Sequence, residues 1–574
     1  MTVTHEVEHT FAVDETFRVP AFDTVDGVAS VGEQAQVELD AVYYDTDDLR
    51  LARNQLTLRR GEGGSDAGWH LNLSTADGAR EEIGRPLDAA DSGGPGPRVP
   101  DDLADLVAVW VRGASLRPVV RVSIVRRTRR LRDAAGHDLL KVADDHVQAR
   151  TMGRPPTGSR RIVVSRWREI DVEALDPAGH DLLVTADHIL RDAGARVAVG
   201  ASTLRRALAV DVGPPDLPVA AALSGPAAPS SPVAGPARRA QGELSAGQVV
   251  HAYLARNTAA LLAADPAVRL GASESVHDLR VAVRRLRSTV RTFRPLFERD
   301  RATRIERGLR EIGEMLGRPR DAEVQLAGLR DALDAQPGEL VLGPVAARIQ
   351  ETLLGEMMRA REEALVFLRG ERYLVFIDEL LAFVSDVGAS AVGGSAVGVG
   401  VGGGDVGGAG AGAGDWHGRS ERGAGMTGLA GAPACRVLPK LVRRADRRLT
   451  RRVRAARSAA PGPGRDVAYH RARKAAKRLR YASEVMVPLA GKAAQRLASR
   501  ARRVQEQLGA HQDSVVALGR LRVLAVAAHR AGESSFTYGL LAEQERNRAA
   551  ALRRDFARRW AKASRPGIRR WLSS

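Results

Sequence analysis

At 574 residues the chain exceeds what one hydrophobic core organises, so several domains are expected. Its 87 Lys+Arg against 69 Asp+Glu give a net charge of +18, which favours polyanionic partners, while 4% aromatic residues leave few platforms for stacking single-stranded bases. A single cysteine, Cys435, excludes an internal disulfide framework, and the N-terminus MTVTHEVEH lacks the basic and apolar regions of a signal peptide. Charge is divided unevenly. Residues 1–210 hold 27 Lys+Arg and 33 Asp+Glu, a net of −6, which leaves 60 against 36, or +24, for residues 211–574. Six of the basic residues are lysines, a bias that suits bidentate phosphate contacts but also follows from GC-rich coding.

Residues 1–210 alternate strand-like runs with turn clusters: HEVEHTFAV from His5, QVELDAVYYDT from Gln36, QLTLRR from Gln55, GWHLNLS from Gly68, PVVRVSIVRRTRRL from Pro118 and REIDVEAL from Arg168. Apolar and charged residues alternate along these runs, so each strand has a dry face and a polar one, as in a barrel with a charged interior or a sheet with a wet face. Asp101 to Arg112 and Leu182 to Ala195 read as intervening helices. Pro, Ala, Gly and Ser crowd residues 211–243, a flexible linker. Amphipathic helical pattern then fills 244–386 and resumes over 435–574, and the residues between, 387–434, are Gly-rich and read as a disordered insert. The long uncharged stretch from Gly388 to Gly404 is dominated by Gly with Val and Ala, so it reads as flexible coil in preference to a membrane span.

Two constellations carry chemistry. In the first, Glu6 and Glu8 sit at i, i+2 on an early strand, and Glu169, Asp171 and Glu173 repeat the alternation on a late one, so each set shares a strand face. Carboxylates gathered this way suit Mg²⁺ or Mn²⁺, with phosphate oxygens completing the shell. Arg59, Arg80, Arg121 and Arg126 or Arg127 lie on other strands, where they could neutralise a phosphate chain. Solvated strand faces with cross-strand ion pairs explain the same spacing.

The second constellation is a repeat. In VHDLRVAVRRLRSTVRTF, from Val276 to Phe293, helical spacing brings His277, Arg280, Arg284, Arg287 and Arg291 to one face and Leu279, Val283, Leu286, Val290 and Phe293 to the other. The cationic ridge is about 21 Å long, suited to an extended polyanion. YHRARKAAKRLRYASEV, residues 469–485, places His470, Arg473, Lys477 and Arg480 at the same offsets. Each copy is followed by a matching string, LGRPRDAEV from Leu316 and LGAHQDSVV from Leu508, with 44 positions from His277 to Asp321 and 43 from His470 to Asp513. A polar helix position near an interface is the structural alternative for either histidine, and a Zn site is disfavoured by the lack of a second ligand at helical spacing. Asp321 and Asp513 read as partners of ridge arginines or helix caps, and the Arg clusters at 443–457 and 553–559 as solvated helix faces.

These paired helices and Leu-Gly-x-x-x-Asp segments, spanning Ser245 to Trp571, resemble the CHAD domain, a helical domain of two pseudo-symmetric halves. That resemblance implies inorganic polyphosphate as the ligand. The strings EVEHTF, YYDTDDLRL, LTLRR, WHLNLS, RPVVRV, VADDHV, WREIDVEAL and ASTLRRAL, in this order over residues 1–210, resemble a CYTH domain of the triphosphate tunnel metalloenzyme fold. By this resemblance Glu6 and Glu8 match the glutamates of ExExK, and Glu169, Asp171 and Glu173 match the late acidic strand. Neutral residues, Thr10, Thr57, Asn72 and Thr203, stand where the family pattern carries cations, whereas Arg59, Arg80, Arg205 and Arg206 are kept.

The expectation is therefore a multidomain α+β chain: an antiparallel β-barrel of the triphosphate-tunnel kind over 1–210, a linker over 211–243, and an all-α helical bundle with two-fold internal repeat over 244–574. Its halves are about 244–386 and 435–574. The expected function is inorganic polyphosphate binding by the helical domain beside a barrel that has lost cations. The alternative is a Mg²⁺- or Mn²⁺-dependent triphosphatase acting on tripolyphosphate, a nucleoside triphosphate or another organic triphosphate. A cytoplasmic location, with polyphosphate granules as the site of association, is expected. Neither a membrane nor nucleic acid is an expected partner, the latter because no groove-reading motif is found.

Overall fold

The computed structural model describes residues 2–4, 8–22, 25–32, 35–64, 67–74, 80–87, 98–152, 162–198, 203–208, 212–217, 244–272, 274–393 and 426–572. Two compact units, Met1–Pro218 and Val219–Ser574, divide the chain. No helix among the described residues is long and apolar enough to cross a membrane.

The first unit is an antiparallel sheet. Its strands are β1 (Thr2–Thr4), β2 (Glu8–Val13), β3 (Ser30–Val31), β4 (Ala35–Asp45), β5 (Thr57–Glu62), β6 (Gly68–Ser74), β7 (Arg80–Arg85), β8 (Arg117–Arg132), β9 (Asp138–Thr151), β10 (Val164–Ala174) and β11 (Arg196–Val197). They pair in the order β1-β7-β6-β5-β4-β8-β9-β10-β2-β11, with β3 on β8. Pairing among the described residues does not close the sheet. The consecutive strands β1 and β2 nonetheless lie toward opposite ends of this order, β1 pairing with β7 and β2 with β10 and β11. Helices α1 (Arg50–Arg53), α2 (Asp101–Val111), α3 (Pro177–Asp192) and α4 (Thr203–Leu208) accompany it. The outward side chains of β2, β9 and β10 bury Phe11, Leu140, Ile170 and Val172 against Leu183, Ala186 and Leu190 of α3, which fixes which side of each strand faces inward. Residues 212–217, expected in the linker, belong to this unit. Val212 and Leu217 are buried, and Asp216 accepts from Arg53, Asn54 and Arg112 at 2.5, 3.1 and 2.9 Å.

The second unit is all-helical: α5 (Ala246–Leu270), α6 (Ser275–Thr292), α7 (Arg299–Met315), α8 (Gly317–Asp334), α9 (Val345–Arg369), α10 (Glu371–Gly393), α11 (Ala434–Ser458), α12 (Pro463–Val485), α13 (Val487–Arg530, broken at Gly491) and α14 (Phe536–Ala563). A capping box at Ser245 and Gln248 starts α5, and a left-handed Gly271 ends it. Leu329 and Leu333 of α8 and Leu353 of α9 pack with Leu521 and Leu524 of α13 and Leu541 of α14, so the repeat halves share a core. Both ends of the expected insert, 387–434, are structured. Helix α10 continues to Gly393 with Val387 buried, and a Cβ on Gly388 would stand 2.6 Å from His251 Nε2, so this glycine permits close packing of α10 on α5. Met426, Ala430 and Ala434 are buried, and Met426 and Pro433 form β-bridges with Phe297 and Ser245. Residues 218–243 and 394–425 lie outside the described residues.

Candidate anion-binding sites

Cross-strand partners in a sheet face the same side, so the register assembles one face residue by residue. Asp145 of β9 pairs with Glu169 of β10 and with Arg126 of β8. Asp171 pairs with Thr10 of β2, and Glu173 with Glu8 and with Lys141. Further round, Arg59 of β5 lies between Tyr43 and His70, and Asn72 between Thr57 and Glu82. Asp145, Glu169 and Asp171 offer ligand oxygens all within 4.8 Å of one another, a hard-oxygen set that could hold a metal ion. Asp171 Oδ1 is buried with no hydrogen-bond partner, the kind of lone pair a divalent cation would satisfy. Burial and the neighbouring Asp171 push Glu169 up to about 7, and burial with Asp145 raises Asp171 too. Gathering carboxylates in a dry wall has this cost when no ion is present to charge them.

Protein cations partly answer these acids. Arg126 donates to both oxygens of Asp145 at 2.8 and 2.6 Å and stands 3.5 Å from Asp171. Arg206 lies 3.5 Å from Glu169 and over the ring of Trp167, whose Nε1 donates to the same carboxylate at 2.8 Å. Lys141 holds Glu173 at 2.7 Å. On the far side of the face Glu82 bonds His70 at 2.8 Å, lies 3.8 Å from Arg59, and is hydrogen-bonded by Asn72.

Alternation separates the other expected cations. Arg121 and Arg127 point to the opposite face, where they meet Asp40 at 3.3 Å and Gln36 at 3.3 Å. Arg205 is half-buried on α4, and Arg80 falls on β7 two positions before Glu82. Glu6 lies outside the described residues, and Glu8 is placed by its backbone register alone.

In the helical unit α6 packs against α12, so the two ridges form one seam. Lys477 of α12 lies among Arg473, Arg284 and Arg280, and its ammonium is pushed down to about 7, first by burial and then by these three charges. Arg284 Nε and Arg473 Nε are buried without a partner, as is His470 Nδ1. Burial and the adjacent cations also lower His470, while His277 is half-buried in the first turn of α6. The second motif explains itself here. Arg280 donates to Gly317 O and to Asp321, both at 3.1 Å, and Arg473 lies 3.9 Å from Asp513. A Cβ on Gly317 or Gly509 would stand 3.8 or 3.4 Å from those guanidinium groups, so the Leu-Gly-x-x-x-Asp segment supplies both room and a counter-charge for its ridge arginine.

Three findings come from comparison with known proteins. A CYTH domain model matches residues 5–200 and a CHAD domain model residues 252–522. An uncharacterized protein of Mycobacterium tuberculosis is 33% identical over 557 residues, covering 96% of this chain and 94% of its own length. The chain belongs to the CYTH–CHAD proteins. Among solved structures, PptA from Streptomyces chartreusis matches 55% of this chain and 99% of its own, at 20% identity and TM-score 0.41. The CHAD domain from the plant Ricinus communis matches 60% and 98%, at 21% identity and TM-score 0.37.

Several residues of both domains were not legible as site residues. In the CYTH domain Asp145 and Glu82 sit beside a second acid, Asp144 and Glu81, and a pair of adjacent acids does not reveal which faces inward. Asp144 faces the other way and is held on both oxygens by Arg168 at 2.7 and 2.9 Å. In the CHAD domain the second half of each ridge is diverted. Arg480 donates to Glu484 at 2.8 Å and lies over Tyr481, Arg291 stands 3.5 Å from Glu306, and Arg287 is lowered by burial near both. Beside them Arg478 is pushed down to about 10, first by burial and then by Arg291 and Arg448. Arg448, expected on a solvated face, therefore borders a second cationic group. Arg553 is likewise engaged, 3.1 Å from His511 Nε2.

Proposed function

We propose that this protein binds inorganic polyphosphate through the seam between α6 and α12 of its CHAD domain. The observation that carries the reading is the trio of Lys477, Arg284 Nε and Arg473 Nε: a buried amine crowded by guanidinium groups and two buried donors without acceptors, side by side. Folding tolerates such a cluster only at a cost, and an anionic chain relieves it by supplying acceptor oxygens and negative charge together. Arg280, Arg284, Arg473 and Lys477, with His277 and His470 at the ridge starts, are the contacts, and Arg287, Arg291 and Arg480 extend the track. An extended chain of phosphates suits two ridges better than a single phosphate ester.

The CYTH domain enters this reading as an impaired triphosphate tunnel. Asp145, Glu169 and Asp171 would hold Mg²⁺ or Mn²⁺, which supplies charge neutralisation to a phosphoryl group. Arg59, Arg126 and Arg206 would face the phosphates, but each already answers a carboxylate of the wall. Thr10 bonds Asp171, Asn72 bonds Glu82, and Thr203 bonds Tyr43, so three of the four neutral replacements are tied into the wall. The second reading, a metal-dependent triphosphatase, rests on the three-carboxylate cluster.

The test is a titration of the full chain with long-chain polyphosphate at several salt concentrations, with duplex DNA of equal charge as competitor. Binding should weaken steeply with salt, and DNA should compete poorly. Equal competition by DNA overturns polyphosphate as the ligand.

A further inference from the structure

A second concave basic surface lies outside the seam. Arg457 of α11, Arg465 and Tyr469 of α12, and Ala550, Arg553, Arg554 and Phe556 of α14 line an open cavity of about 350 Å³. We infer that this cavity is a separate site for a diphosphate group, formed by Arg457, Arg465 and Arg554 around a scaffold of Arg553, His511 and Asp466.

The scaffold is built and buried. His511 is 2% exposed, its ring 5.2 Å from that of Tyr469, which meets Phe556 edge-on at 5.7 Å. Arg553 Nη1 lies 3.1 Å from His511 Nε2 and 3.6 Å from Asp466, so one acid and one buried imidazole fix a single guanidinium. The other three form no ion pair of this kind. Arg465 donates through Nε to Ala459 O at 2.7 Å, which orients the side chain and leaves both Nη groups. Among the described residues no carboxylate stands within ion-pair distance of Arg457, Arg465 or Arg554, whereas the neighbouring Arg553 and Arg558 have Asp466 and Asp555.

The repeat supplies an internal control. The positions of the first half that correspond to Arg465, Asp466, Tyr469 and His511 are Ala272, Ser273, Val276 and Pro319. The shared fold therefore does not require these residues; they are particular to one corner of the second half. Tyr469 and Phe556 are too deeply buried to stack on a planar ring, and the accessible lining is guanidinium with the small side chains of Ala550 and Ala557. That surface selects a compact anion with several charged oxygens, which guanidinium forks bind bidentately. At the low end of the ~300–1,000 Å³ range of small-ligand pockets, the cavity takes a diphosphate, whether free or as the end of a longer chain.

The experiment maps arginine modification by phenylglyoxal residue by residue in the full chain, by mass spectrometry, with inorganic pyrophosphate as protectant. Pyrophosphate at ten times its dissociation constant should slow modification of Arg457, Arg465 and Arg554 about tenfold, leaving the exposed Arg558 and Arg559 unchanged. The protection should persist when the seam carries Arg284→Glu with Lys477→Glu, and disappear in Ala550→Glu, which places a carboxylate in the cavity. Arg554→Gln, on an exposed side chain, gives the same readout at Arg457 and Arg465 should Ala550→Glu disturb folding. Long-chain polyphosphate in the unmodified chain is the second arm and tests occupancy by a chain end. Protection by neither phosphate, equal protection by sulfate at matched ionic strength, or loss of pyrophosphate protection in the seam variant would each overturn the inference.

Discussion

The two domains handle positive charge in opposite ways. On the inner face of the CYTH domain Arg126 answers Asp145, Arg206 answers Glu169, Lys141 answers Glu173 and Arg59 approaches Glu82. In the CHAD seam Lys477 meets three arginines, and the acids that act on it, Asp321 and Asp513, are 69% and 55% exposed. A wall whose charges are already paired offers a ligand an exchange of partners; a seam of stored charge offers new ones. Paired charges in a dry wall also resist removal, because deleting one partner strands the other. The difference is what the proposal of binding at the seam rests on, and it predicts where mutation matters most.

The largest effect should come from reversing the seam. Arg284→Glu with Arg473→Glu replaces two unpartnered donors by two anions, and long-chain polyphosphate affinity should fall ~100-fold or more at physiological salt, since several charge-assisted contacts are lost together. Arg558→Glu with Arg559→Glu is the control, because Arg558 is 81% exposed and bonded to Asp555. A control that loses as much affinity as the seam variant would reduce binding to a diffuse effect of net charge.

A smaller change is expected from the other side of the comparison. Tripolyphosphate hydrolysis by the full chain with Mn²⁺ should be slow, and Thr10→Lys with Asn72→Lys should raise it about tenfold or more by returning cations to the face that holds Asp145, Glu169 and Asp171. Fast turnover by the unaltered chain that vanishes in Asp145→Asn would show that Arg59, Arg126 and Arg206 suffice, and the contrast between the domains would fail.

Lys477 gives a pH signature. In the unfolded chain its amine titrates near ~10.4, whereas in the free folded domain it is pushed down to about 7. Between those values the unfolded chain binds more protons, so this residue makes the unliganded fold more stable as pH rises from about 7 toward 10, and less stable below. A polyanion recharges the amine, so binding takes up a proton above pH 7 and is tightest below it. The other groups at the seam are Arg280, Arg284, Arg473, Lys474, Asp321, Asp513, His277 and His470. Calorimetry at pH 8 in buffers of different ionisation enthalpy should show uptake that Lys477→Met removes; unchanged uptake in that variant refutes the assignment.

How much of this was legible in the sequence follows from periodicity. The ridges, the repeat and the strand alternation are one-dimensional patterns, and helical or extended geometry converts them directly into faces. Three-dimensional choices were not legible. Arg126 and Arg127 are adjacent, so the inward one depends on the register with β9. Gly388 sits in a Gly-rich run, yet its role is set by His251 on another helix. Arg448 looks like any solvated arginine until α11 brings it beside Arg291 and Arg478.

The smallest effect expected is at Gly509. It lies inside α13 and is buried, and the nearest atoms to a methyl group there would be those of the Arg473 guanidinium, at 3.4 to 3.6 Å. Because the neighbour is the far end of a flexible side chain, Gly509→Ala should be accommodated by a shift of a few tenths of an ångström. Replacing glycine in a helix interior should stabilise the domain by roughly 0.5–1 kcal/mol, raising its thermal midpoint by a few degrees. The displaced guanidinium stays within reach of an anion, so polyphosphate affinity should fall by less than about threefold. Gly509→Leu separates the two consequences, since its branched side chain must push Arg473 out of the seam, and affinity should then fall toward that of Arg473→Ala. Equal affinity in the two Gly509 variants would mean that Arg473 does not need this position to reach its ligand, and the glycine would be there for helix packing alone.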